Sequence, residues 1–371
     1  MTKTWQTKAI LVLGMLFSSL PGPAETPSPV ILRFATVGDS RGEPGAKGNS
    51  PQDEIWLQAT PVLSRILREI EEQRPQILVF NGDMIRGYTK DIGILDKQYA
   101  FWRGMVAGLM ERGTYVLPVP GNHEVQVPLP QPGGGFAKRA LETHEQAWRA
   151  NMGDLILDRP RWNKSLGMPA AAWDTENAPA KGEDGISTDQ RQLSYSLDVG
   201  PVHLAIINTD PVGFDGSVPL KWLQRDLGSA RARGSRHIFV FGHKMPFTYF
   251  PNATGTAKED GLEGHRELRD AFWDLIESSG ATYICGHQHV YHASQPRRDH
   301  GGMAWQVIVG SGGSPLGIKP GQSNNPMDRM YAWALISVHQ DGSVRAEVRG
   351  FDEQLGPTAV IERLELQPAR N

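Results

Sequence analysis

Five short polar blocks each follow directly after an apolar run of the sequence. The blocks share a glycine close to a side chain that can bind a metal ion, and they occupy residues 38–41, 81–83, 120–124, 242–243 and 286–289. Carboxylate and amide oxygens and imidazole nitrogens are common protein ligands of divalent first-row metals. The candidate metal ligands are Asp39, Asp83, Asn122, His243, His287 and His289.

This mixture of hard oxygen and borderline nitrogen donors favours manganese, iron or zinc over calcium. Two such ions about 3.5–4 Å apart can activate water and neutralise the charge of a phosphoryl group. A single Gly-Asp is most often a turn, and a single histidine most often forms a hydrogen bond at the surface or in the core. The five blocks in this order, each after an apolar run, instead favour a site for two divalent metal ions (Mn, Fe or Zn).

The apolar runs that precede the blocks have the length and composition of buried strands. Residues 62–70 and 268–276 carry apolar side chains at helical spacing, and Gly280 is placed to end the second helix. Strands that alternate with helices predict an α/β architecture with parallel pairing, in which ligands bind at the carboxyl ends of the strands. The late strands predict an antiparallel return with a turn at Asp341-Gly342. The predicted strands are residues 31–37, 76–80, 115–119, 203–208, 237–241, 282–285, 305–309, 332–338 and 344–350.

The first 24 residues have the pattern of a secretory signal peptide. Lys3 and Lys8 precede an apolar run at residues 9–20, and small residues follow up to Ala24. The run is short for a bilayer span, which needs about 20 apolar residues. We expect cleavage after Ala24, a secreted or periplasmic protein, and no transmembrane span once residues 1–24 are removed. The alternatives are a buried strand or an uncleaved anchor.

Residues 25–371 are predicted to form one domain with an insertion at about residues 126–192, where the apolar periodicity fails. A segment of this length without regular pattern is often functional. Its tryptophans could stack on a substrate, but the preferred interpretation is that they pack a small core of the insertion itself. These tryptophans are Trp148, Trp162 and Trp173.

Charge and cysteine content narrow the classes of protein to consider. The net charge of −3 becomes −5 when the two lysines of residues 1–24 are removed, which argues against a nucleic-acid binder held by phosphate contacts. The only cysteine, Cys285, follows an apolar run and is predicted to be a buried thiol, so no intrachain disulfide can form. The fold must therefore depend on its apolar core and on bound metal.

The blocks resemble those of the calcineurin-like metallophosphoesterases, over about residues 31–352. The chain looks most similar to the purple-acid-phosphatase-like branch, on the stretches 195–200, 220–223, 242–246 and 310–313. The fold implied by this resemblance is a four-layer α/β/β/α sandwich of two mixed β-sheets flanked by helices. The dinuclear metal site would lie between the two sheets.

The resemblance also implies a role for each candidate ligand. Asp83 would bridge both metals, and Asp39 and His289 would bind the first metal. The ligands of the second metal would be Asn122, His243 and His287. A metal-bridging hydroxide would attack phosphorus, and His123 would be the general acid that protonates the leaving alkoxide, without a covalent phospho-enzyme.

Two positions depart from the pattern of the family. Where the family has a histidine ligand of the first metal, this chain has Arg41, which stays protonated and cannot bind a metal. The purple enzymes place a tyrosine ligand at the position of Arg86, and Tyr88 comes two residues later. The first metal is therefore expected to be held more weakly than the second. We expect Arg41 and Arg86 to contact the substrate phosphate together with Asn122; the alternative is that Arg41 only pairs with an acid such as Glu43.

The leading interpretation is a metal-dependent phosphoesterase that hydrolyses small-molecule or lipid phosphate esters. One alternative is a phosphodiesterase acting on cyclic nucleotides or phospholipids, since the same metals serve monoesters and diesters. Another is a non-catalytic surface protein that keeps the metal site. Residues 126–192 and 245–262 are expected to frame the pocket that decides the substrate, and the sequence leaves the oligomeric state open.

Overall fold

Two six-stranded mixed sheets form the framework of the molecule. The computed structural model describes residues 28–46, 49–167, 174–250 and 260–368. The strands of these residues are, in chain order, β1 (Val30–Val37), β2 (Ile77–Phe80), β3 (Tyr115–Pro118), β4 (Gln126–Pro130), β5 (Phe136–Ala140), β6 (Tyr195–Val199), β7 (Val202–Ile206), β8 (His237–Phe241), β9 (Ala281–Cys285), β10 (Tyr291–Ser294), β11 (Gln306–Val309), β12 (Met330–His339), β13 (Val344–Asp352) and β14 (Ala359–Gln367). The α-helices are α1 (Pro51–Trp56), α2 (Thr60–Gln73), α3 (Ile92–Glu111), α4 (Asn122–Val125), α5 (Glu142–Met152), α6 (Arg159–Leu166), α7 (Leu220–Ala232) and α8 (Arg266–Ser279).

The strand order of the first sheet is β14-β13-β12-β1-β2-β3. Strands β1, β2 and β3 are parallel, whereas β12, β13 and β14 extend the sheet with antiparallel pairing. The order of the second sheet is β10-β11-β9-β8-β7-β6, with parallel pairing among the four central strands and an antiparallel strand at each edge. The polar blocks therefore follow parallel strands in both sheets.

The two sheets pack face to face through a shared apolar core. Phe34 of β1 meets Phe239 and Phe241 of β8 edge to face, with ring centroids 5.0 and 6.0 Å apart. Helices α2 and α3 pack against the first sheet, and α7 and α8 pack against the second. The architecture is the four-layer α/β/β/α sandwich that the resemblance implied.

The two helices that were predicted from apolar spacing are present as α2 and α8. Helix α2 has a proline in its first turn and buries one face, from Val62 to Ile70. Helix α8 ends at Gly280, which has a φ of 61°. The longest helix of the described residues, α3, was not predicted, because apolar residues such as Ile94 and Phe101 lie outside its buried face and no clean polar stripe marks it.

The nine predicted strands are present, eight of them with an end shifted by one or two residues and β8 with the predicted ends, but several others were missed. The antiparallel pair with the turn at residues 341–342 is confirmed as β12 and β13. The unpredicted strands are β4, β5, β6, β10 and β14. Of these, β6, β10 and β14 form sheet edges, and an edge strand needs less continuous apolar character than a central strand buried on both faces.

The segment 126–192 has regular structure where it is described: the hairpin β4–β5 and helices α5 and α6. Trp148 and Trp162 are fully buried and belong to the same core as the first sheet. Trp162 packs against Tyr115 of β3, with ring centroids 5.1 Å apart. The prediction of a separate small core is therefore wrong for these two tryptophans, and Trp173 lies outside the described residues, as does the predicted signal peptide at residues 1–24.

Cys285, at the end of β9, is a buried thiol as predicted. Burial raises the pKa of this thiol well above its ordinary value, which makes it a poor nucleophile. Among the described residues, none of the helices combines the length and the apolar character that a membrane span requires.

Candidate metal centre

The five polar blocks meet at one edge of the sandwich, where the parallel strands of both sheets end. Asp39, Asp83 and His287 have left-handed backbone conformations, with φ values of 60°, 52° and 71°. Such conformations cost about 1–3 kcal/mol each for residues other than glycine and are common at functional sites. The chain therefore turns sharply where three of the candidate ligands stand.

The turn before His287 depends on a glycine. A Cβ atom at Gly286 would lie 2.3 Å from Oδ2 of Asp39, which is closer than real Cβ contacts. The missing side chain lets the β9 tip approach Asp39, whose Oδ2 accepts a hydrogen bond of 3.0 Å from the backbone N–H of His287. This contact links the first sheet to the second at the candidate site.

Asp39, Asp83 and His243 form the centre of the cluster. One carboxylate oxygen from each aspartate and one ring nitrogen of the histidine all lie within 4.8 Å of one another. Nε2 of His243 lies 3.2 Å from Oδ1 of Asp83. Both carboxylates and the imidazole are buried. A buried group of two acids and one imidazole is a candidate site for a divalent cation.

Asn122 and His287 extend this cluster on one side. The amide oxygen of Asn122 lies 3.0 Å from Nε2 of His243 and 2.9 Å from Nδ1 of His287. The two imidazole nitrogens are 3.2 Å apart. These three atoms converge as the ligands of one ion would.

Asp39 and His289 lie on the other side of the cluster. Nε2 of His289 is 3.6 Å from Oδ1 of Asp39, a buried oxygen that makes no hydrogen bond within the described parts of the chain. An unsatisfied buried carboxylate oxygen is costly and calls for an ion or a water molecule. The six candidate ligands are thus connected in one group, with Asp83 near its middle.

Each of the three candidate histidine ligands has one ring nitrogen that faces an oxygen acceptor outside the cluster. Nδ1 of His243 faces the carbonyl of Asn81 at 2.8 Å, and Nδ1 of His289 faces the carbonyl of Pro315 at 2.8 Å. Nε2 of His287 faces Oδ1 of Asp260 at 3.1 Å. Because these oxygens only accept, the facing nitrogens carry the hydrogen, and the other nitrogen of each ring is free to bind a metal.

The electrostatics also fit a cation. Burial disfavours a charged His243, yet the Asp83 and Asp39 carboxylates raise the pKa of His243 to about 10. Burial raises the pKa of Asp39 well above its ordinary value, and the nearby Asp83 adds to this effect. A divalent ion would neutralise the negative charge that these shifts reflect. The donor set, the unsatisfied Asp39 oxygen and the local charge therefore all suit divalent metal.

Arg41 and Arg86 border the cluster and share Glu43. The Arg41 guanidinium pairs with Glu43, and Nη2 of Arg86 lies 3.3 Å from Oε2 of Glu43. Arg41 also faces the cluster, with Nε 3.7 Å from Oδ2 of Asp83 and Nη2 3.5 Å from Nε2 of His289. The pairing with Glu43 that the sequence allowed is present, and the guanidinium nevertheless lies against two candidate ligands.

His123 is placed beside Asp83. Its Nδ1 lies 2.5 Å from the carbonyl of Arg86, and its Nε2 lies 3.7 Å from Oδ2 of Asp83. Burial lowers the pKa of His123 well below its ordinary value, although the Asp83 carboxylate acts in the opposite direction. The imidazole is therefore neutral at neutral pH in this arrangement, with Nε2 directed at the cluster.

Glu124 supports the loops that carry Asp83 and Asn122. Its carboxylate accepts hydrogen bonds from the backbone N–H groups of Asp83, Met84, Ile85 and Gly121, at 2.7–3.1 Å. Burial and the charge of Asp83 raise the pKa of Glu124 to about 7. Glu124 was not predicted as a site residue, although its position three residues after Gly121 is typical of a residue that caps a helix start.

Three further residues near the cluster were missed. Tyr88, which is too late in sequence for the expected ligand position, contacts both Asn122 and His123. Lys138 of the hairpin β4–β5 places Nζ 4.6 Å from the centre of the Tyr88 ring. Asp260 contacts His287 from a separate segment. No local pattern marks these residues, because their contacts come from distant parts of the chain.

The sequence and the fold of the chain are similar to those of known proteins. The sequence profile of the family described as calcineurin-like phosphoesterase matches residues 33–291. Among solved structures, a purple acid phosphatase from yellow lupin (Lupinus luteus) seeds is similar with a TM-score of 0.52 and 15% identity, over 88% of this chain and 53% of that chain. This chain thus spans about half the length of the lupin protein. A dimetal phosphatase from Danio rerio has a TM-score of 0.44 and 15% identity, over 91% of this chain and 99% of that chain. No sequence among the curated proteins matches the chain.

Proposed function

The chain belongs to the calcineurin-like phosphoesterase family of hydrolases that act on phosphoric esters, and we propose that its reaction takes place at the cluster between the two sheets. The observation that carries this proposal is the convergence of oxygen and nitrogen donors around the unsatisfied Oδ1 of Asp39. The proposed metal ligands are Asp39, Asp83, Asn122, His243, His287 and His289.

We propose that the cluster binds two divalent ions of manganese, iron or zinc, and that it binds one of them more tightly than the other. Asn122, His243 and His287 would hold one ion together with Asp83, and their facing atoms lie only 2.9–3.2 Å apart. Asp39 and His289 would hold the other ion with Asp83, in the part of the site that the Arg41 guanidinium approaches. When bound, such ions activate water as the nucleophile and neutralise charge on the phosphoryl group.

His123 is the proposed general acid for the leaving group. Its Nδ1–H is held by the Arg86 carbonyl, which orients Nε2 toward the cluster. An anionic substrate beside Nε2 would raise the pKa of the imidazole and favour its protonated form. The protonated ring would then donate its proton to the departing alkoxide oxygen.

Arg41 and Arg86 are the proposed phosphate-binding side chains, with Asn122 beside them. Their shared partner Glu43 holds both guanidinium groups at the border of the cluster. A guanidinium presents several N–H donors in a planar arrangement that suits phosphate oxygens. The hairpin β4–β5 and the segment that contains Asp260 also reach the site, which supports a role for residues 126–192 and 245–262 in choosing the substrate.

A hydrolysis assay tests the proposal. An aryl phosphate and an aryl phosphodiester are each incubated with the protein, with added Mn²⁺, Fe²⁺ or Zn²⁺ and with a chelator. Metal-dependent turnover that the chelator abolishes is the expected result, and the relative rates of the two esters distinguish a phosphatase from a phosphodiesterase. Metal-loaded protein that hydrolyses neither ester would support a non-catalytic binding protein instead.

We also propose that residues 25–371 form a single exported domain that carries the segment 126–192 as an insertion. The basic start, short apolar run and small residues before Glu25 support export. Amino-terminal sequencing of the protein recovered from outside the cytoplasm should begin at Glu25. Recovery of the protein only in the cytoplasm, with Met1 or Thr2 at its amino terminus, would contradict export.

A further inference from the structure

Tyr88 contacts two residues of the proposed site without being a proposed ligand. Its hydroxyl accepts a hydrogen bond from Nδ2 of Asn122. Its ring lies against the imidazole of His123, with centroids 3.8 Å apart and planes 30° apart. The Nζ atom of Lys138 lies 4.6 Å from the centre of the same ring. The Tyr88 side chain thus connects a candidate ligand, the candidate acid and the hairpin β4–β5.

The backbone at this position is unusual in a way that serves these contacts. Tyr88 has a φ of 52°, which a bulky residue other than glycine rarely adopts. The preceding Gly87 also has a φ of 52°, and a Cβ atom there would lie 1.7 Å from the carbonyl oxygen of His123. Strained backbone of this kind persists only where the surroundings hold it in place. The chain passes close to His123 and then presents the tyrosine ring to it.

Tyr88 contacts the nitrogen side of the Asn122 amide. A primary amide has an oxygen that can bind a metal and a nitrogen that cannot, and the two differ only by a flip of the side chain. In this structure the oxygen faces His243 and His287, while the nitrogen donates to Tyr88. The phenolic oxygen of Tyr88 carries lone pairs and can accept this bond. In the flipped amide, the nitrogen would face the two imidazole nitrogens that are proposed to bind metal.

We propose that Tyr88 is a positioning residue of the site. Its hydroxyl holds the Asn122 amide with the oxygen directed at the metal position, and its ring holds the imidazole of His123. The inference rests on the proposed function, because it takes Asn122 as a ligand and His123 as the general acid. The two contacts are separable, since phenylalanine keeps the ring and removes only the hydroxyl.

The first experiment measures metal retention in Tyr88→Phe. Purified wild-type and variant proteins are loaded with Mn²⁺ and titrated with a chelator, and bound metal is measured by mass spectrometry. We expect Tyr88→Phe to bind its metal about five- to tenfold more weakly, because one hydrogen bond that selects the ligating amide orientation is lost. Tyr195→Phe is the matched control, since the Tyr195 hydroxyl donates a buried 2.8 Å bond to the Pro118 carbonyl outside the cluster. The control should retain metal as the wild type does.

The second experiment measures leaving-group dependence in Tyr88→Leu. The variant loses the ring, so His123 should be held less well. We expect kcat/KM to fall about tenfold more for an alkyl phosphate than for 4-nitrophenyl phosphate, whose leaving group needs little help from an acid. Tyr88→Phe should keep the wild-type ratio of the two rates. A purely structural role would lower both rates equally.

The outcomes separate this inference from the proposed function. Wild-type protein that binds metal and hydrolyses esters, together with a Tyr88→Phe variant that retains metal within about twofold of the wild type, would overturn the role of the hydroxyl. An unchanged rate ratio in folded Tyr88→Leu would overturn the role of the ring. Wild-type protein without metal-dependent hydrolysis would instead contradict the proposed function. If Tyr88→Leu does not fold, Tyr88→Phe still decides whether the hydroxyl positions Asn122.

Discussion

Arg41 brings a positive charge against Asp83 and His289, two of the proposed ligands of the first metal. Because a guanidinium cannot bind a metal, its contribution should be to the substrate. We predict that Arg41→Ala raises KM for an aryl phosphate by about 10- to 100-fold, the effect of losing a charged hydrogen bond. The metal content of Arg41→Ala should not fall below that of the wild type. Steady-state kinetics and metal analysis of the same preparation measure both quantities.

The control for this prediction is Arg363→Ala, which removes an exposed guanidinium that pairs with Glu347 outside the cluster. Its KM should equal that of the wild type. If KM of Arg41→Ala is also unchanged, Arg41 does not bind the phosphate. The pairing of Arg41 with Glu43 would then be its whole role.

Asp260 accepts a hydrogen bond from Nε2 of His287, so Nδ1 of the same ring is directed at the cluster. Partners of this kind typically contribute a factor of about 10–100 to metal affinity. We predict that Asp260→Ala weakens metal binding by about this factor, whereas Asp260→Asn, which keeps an acceptor oxygen, weakens it less. Competition with a metal-binding dye measures the affinity.

Glu263→Ala provides a matched control from the same segment. Glu263 accepts a 2.8 Å bond from the backbone N–H of Thr248 and pairs with Arg269, without touching a candidate ligand. If Asp260→Ala and Glu263→Ala weaken metal binding equally, Asp260 acts by holding the segment in place and not through His287.

The predicted ligands and their supporting residues differ in how far the sequence reveals them. Asp39 and His243 each follow an apolar run and a glycine, and parallel strands bring such positions together regardless of loop length. Tyr88 and Asp260 carry no such mark, because each contacts the site from a turn or a segment whose path depends on the whole fold. The sequence thus revealed the side chains proposed to bind metal but not those that orient them.

At the scale of elements, a buried ionic cluster joins β6, β7 and α7. Nδ1 of His203 lies 2.6 Å from Asp198, and Nε2 lies 2.9 Å from Asp226. Arg233 also pairs with Asp198. Burial opposes a charged His203, but hydrogen bonds to the two carboxylates raise its pKa. Burial likewise opposes the charged aspartates, but His203 lowers the pKa of both.

The signs of these shifts predict a pH dependence of stability. The His203 contribution is complete below its unfolded pKa of about 6.5 and is lost as pH rises through the higher folded value. The aspartate contributions are complete above about pH 4 and are lost as pH falls. The cluster should therefore stabilise the fold most between about pH 4 and 6.5.

We predict that His203→Asn is less stable than the wild type by about 3 kcal/mol at pH 6, because two buried carboxylates lose their shared cation. The difference should shrink as pH rises above 7. Urea unfolding at several pH values measures it, and His300→Asn, at an exposed position, is the control. A difference that does not change with pH would show that folding does not raise the pKa of His203, and one that grows above pH 7 would show that the buried imidazole is neutral.

Helices and strands with one apolar face were predicted from the sequence, whereas elements without a clear apolar period were not. Helix α2 places its apolar residues on one face, whereas α3 has apolar residues around more of its surface and gives no clear period. Strand β14 is the outermost strand of the first sheet and most of its residues are at least partly exposed. The sequence predicts a separate core for Trp148 and Trp162 because nothing in their local sequence indicates that α5 packs on α3 and that α6 packs on β3.

At the scale of the whole molecule, the proposed ligands join the two sheets. Asp39, Asp83 and Asn122 follow strands of the first sheet, and the three histidines follow strands of the second. The metals would therefore bind the folded sandwich and not the separated sheets. Ligands that bind only the folded state stabilise it by mass action. Metal removal should thus weaken the whole fold and not only the site.

We predict that a chelator lowers the thermal midpoint by about 4 °C, which corresponds to about 2.7 kcal/mol for a metal present at 100 times its dissociation constant. Differential scanning calorimetry with and without the chelator measures the shift. Hydrogen exchange should increase at the ends of β1, β2, β8 and β9, where the two sheets would lose their common ligands. The double variant Asp83→Asn/His243→Asn removes ligands from both sheets, so its midpoint should not respond to the chelator. A wild-type midpoint that is the same with and without metal would show that the two sheets hold together without the ions.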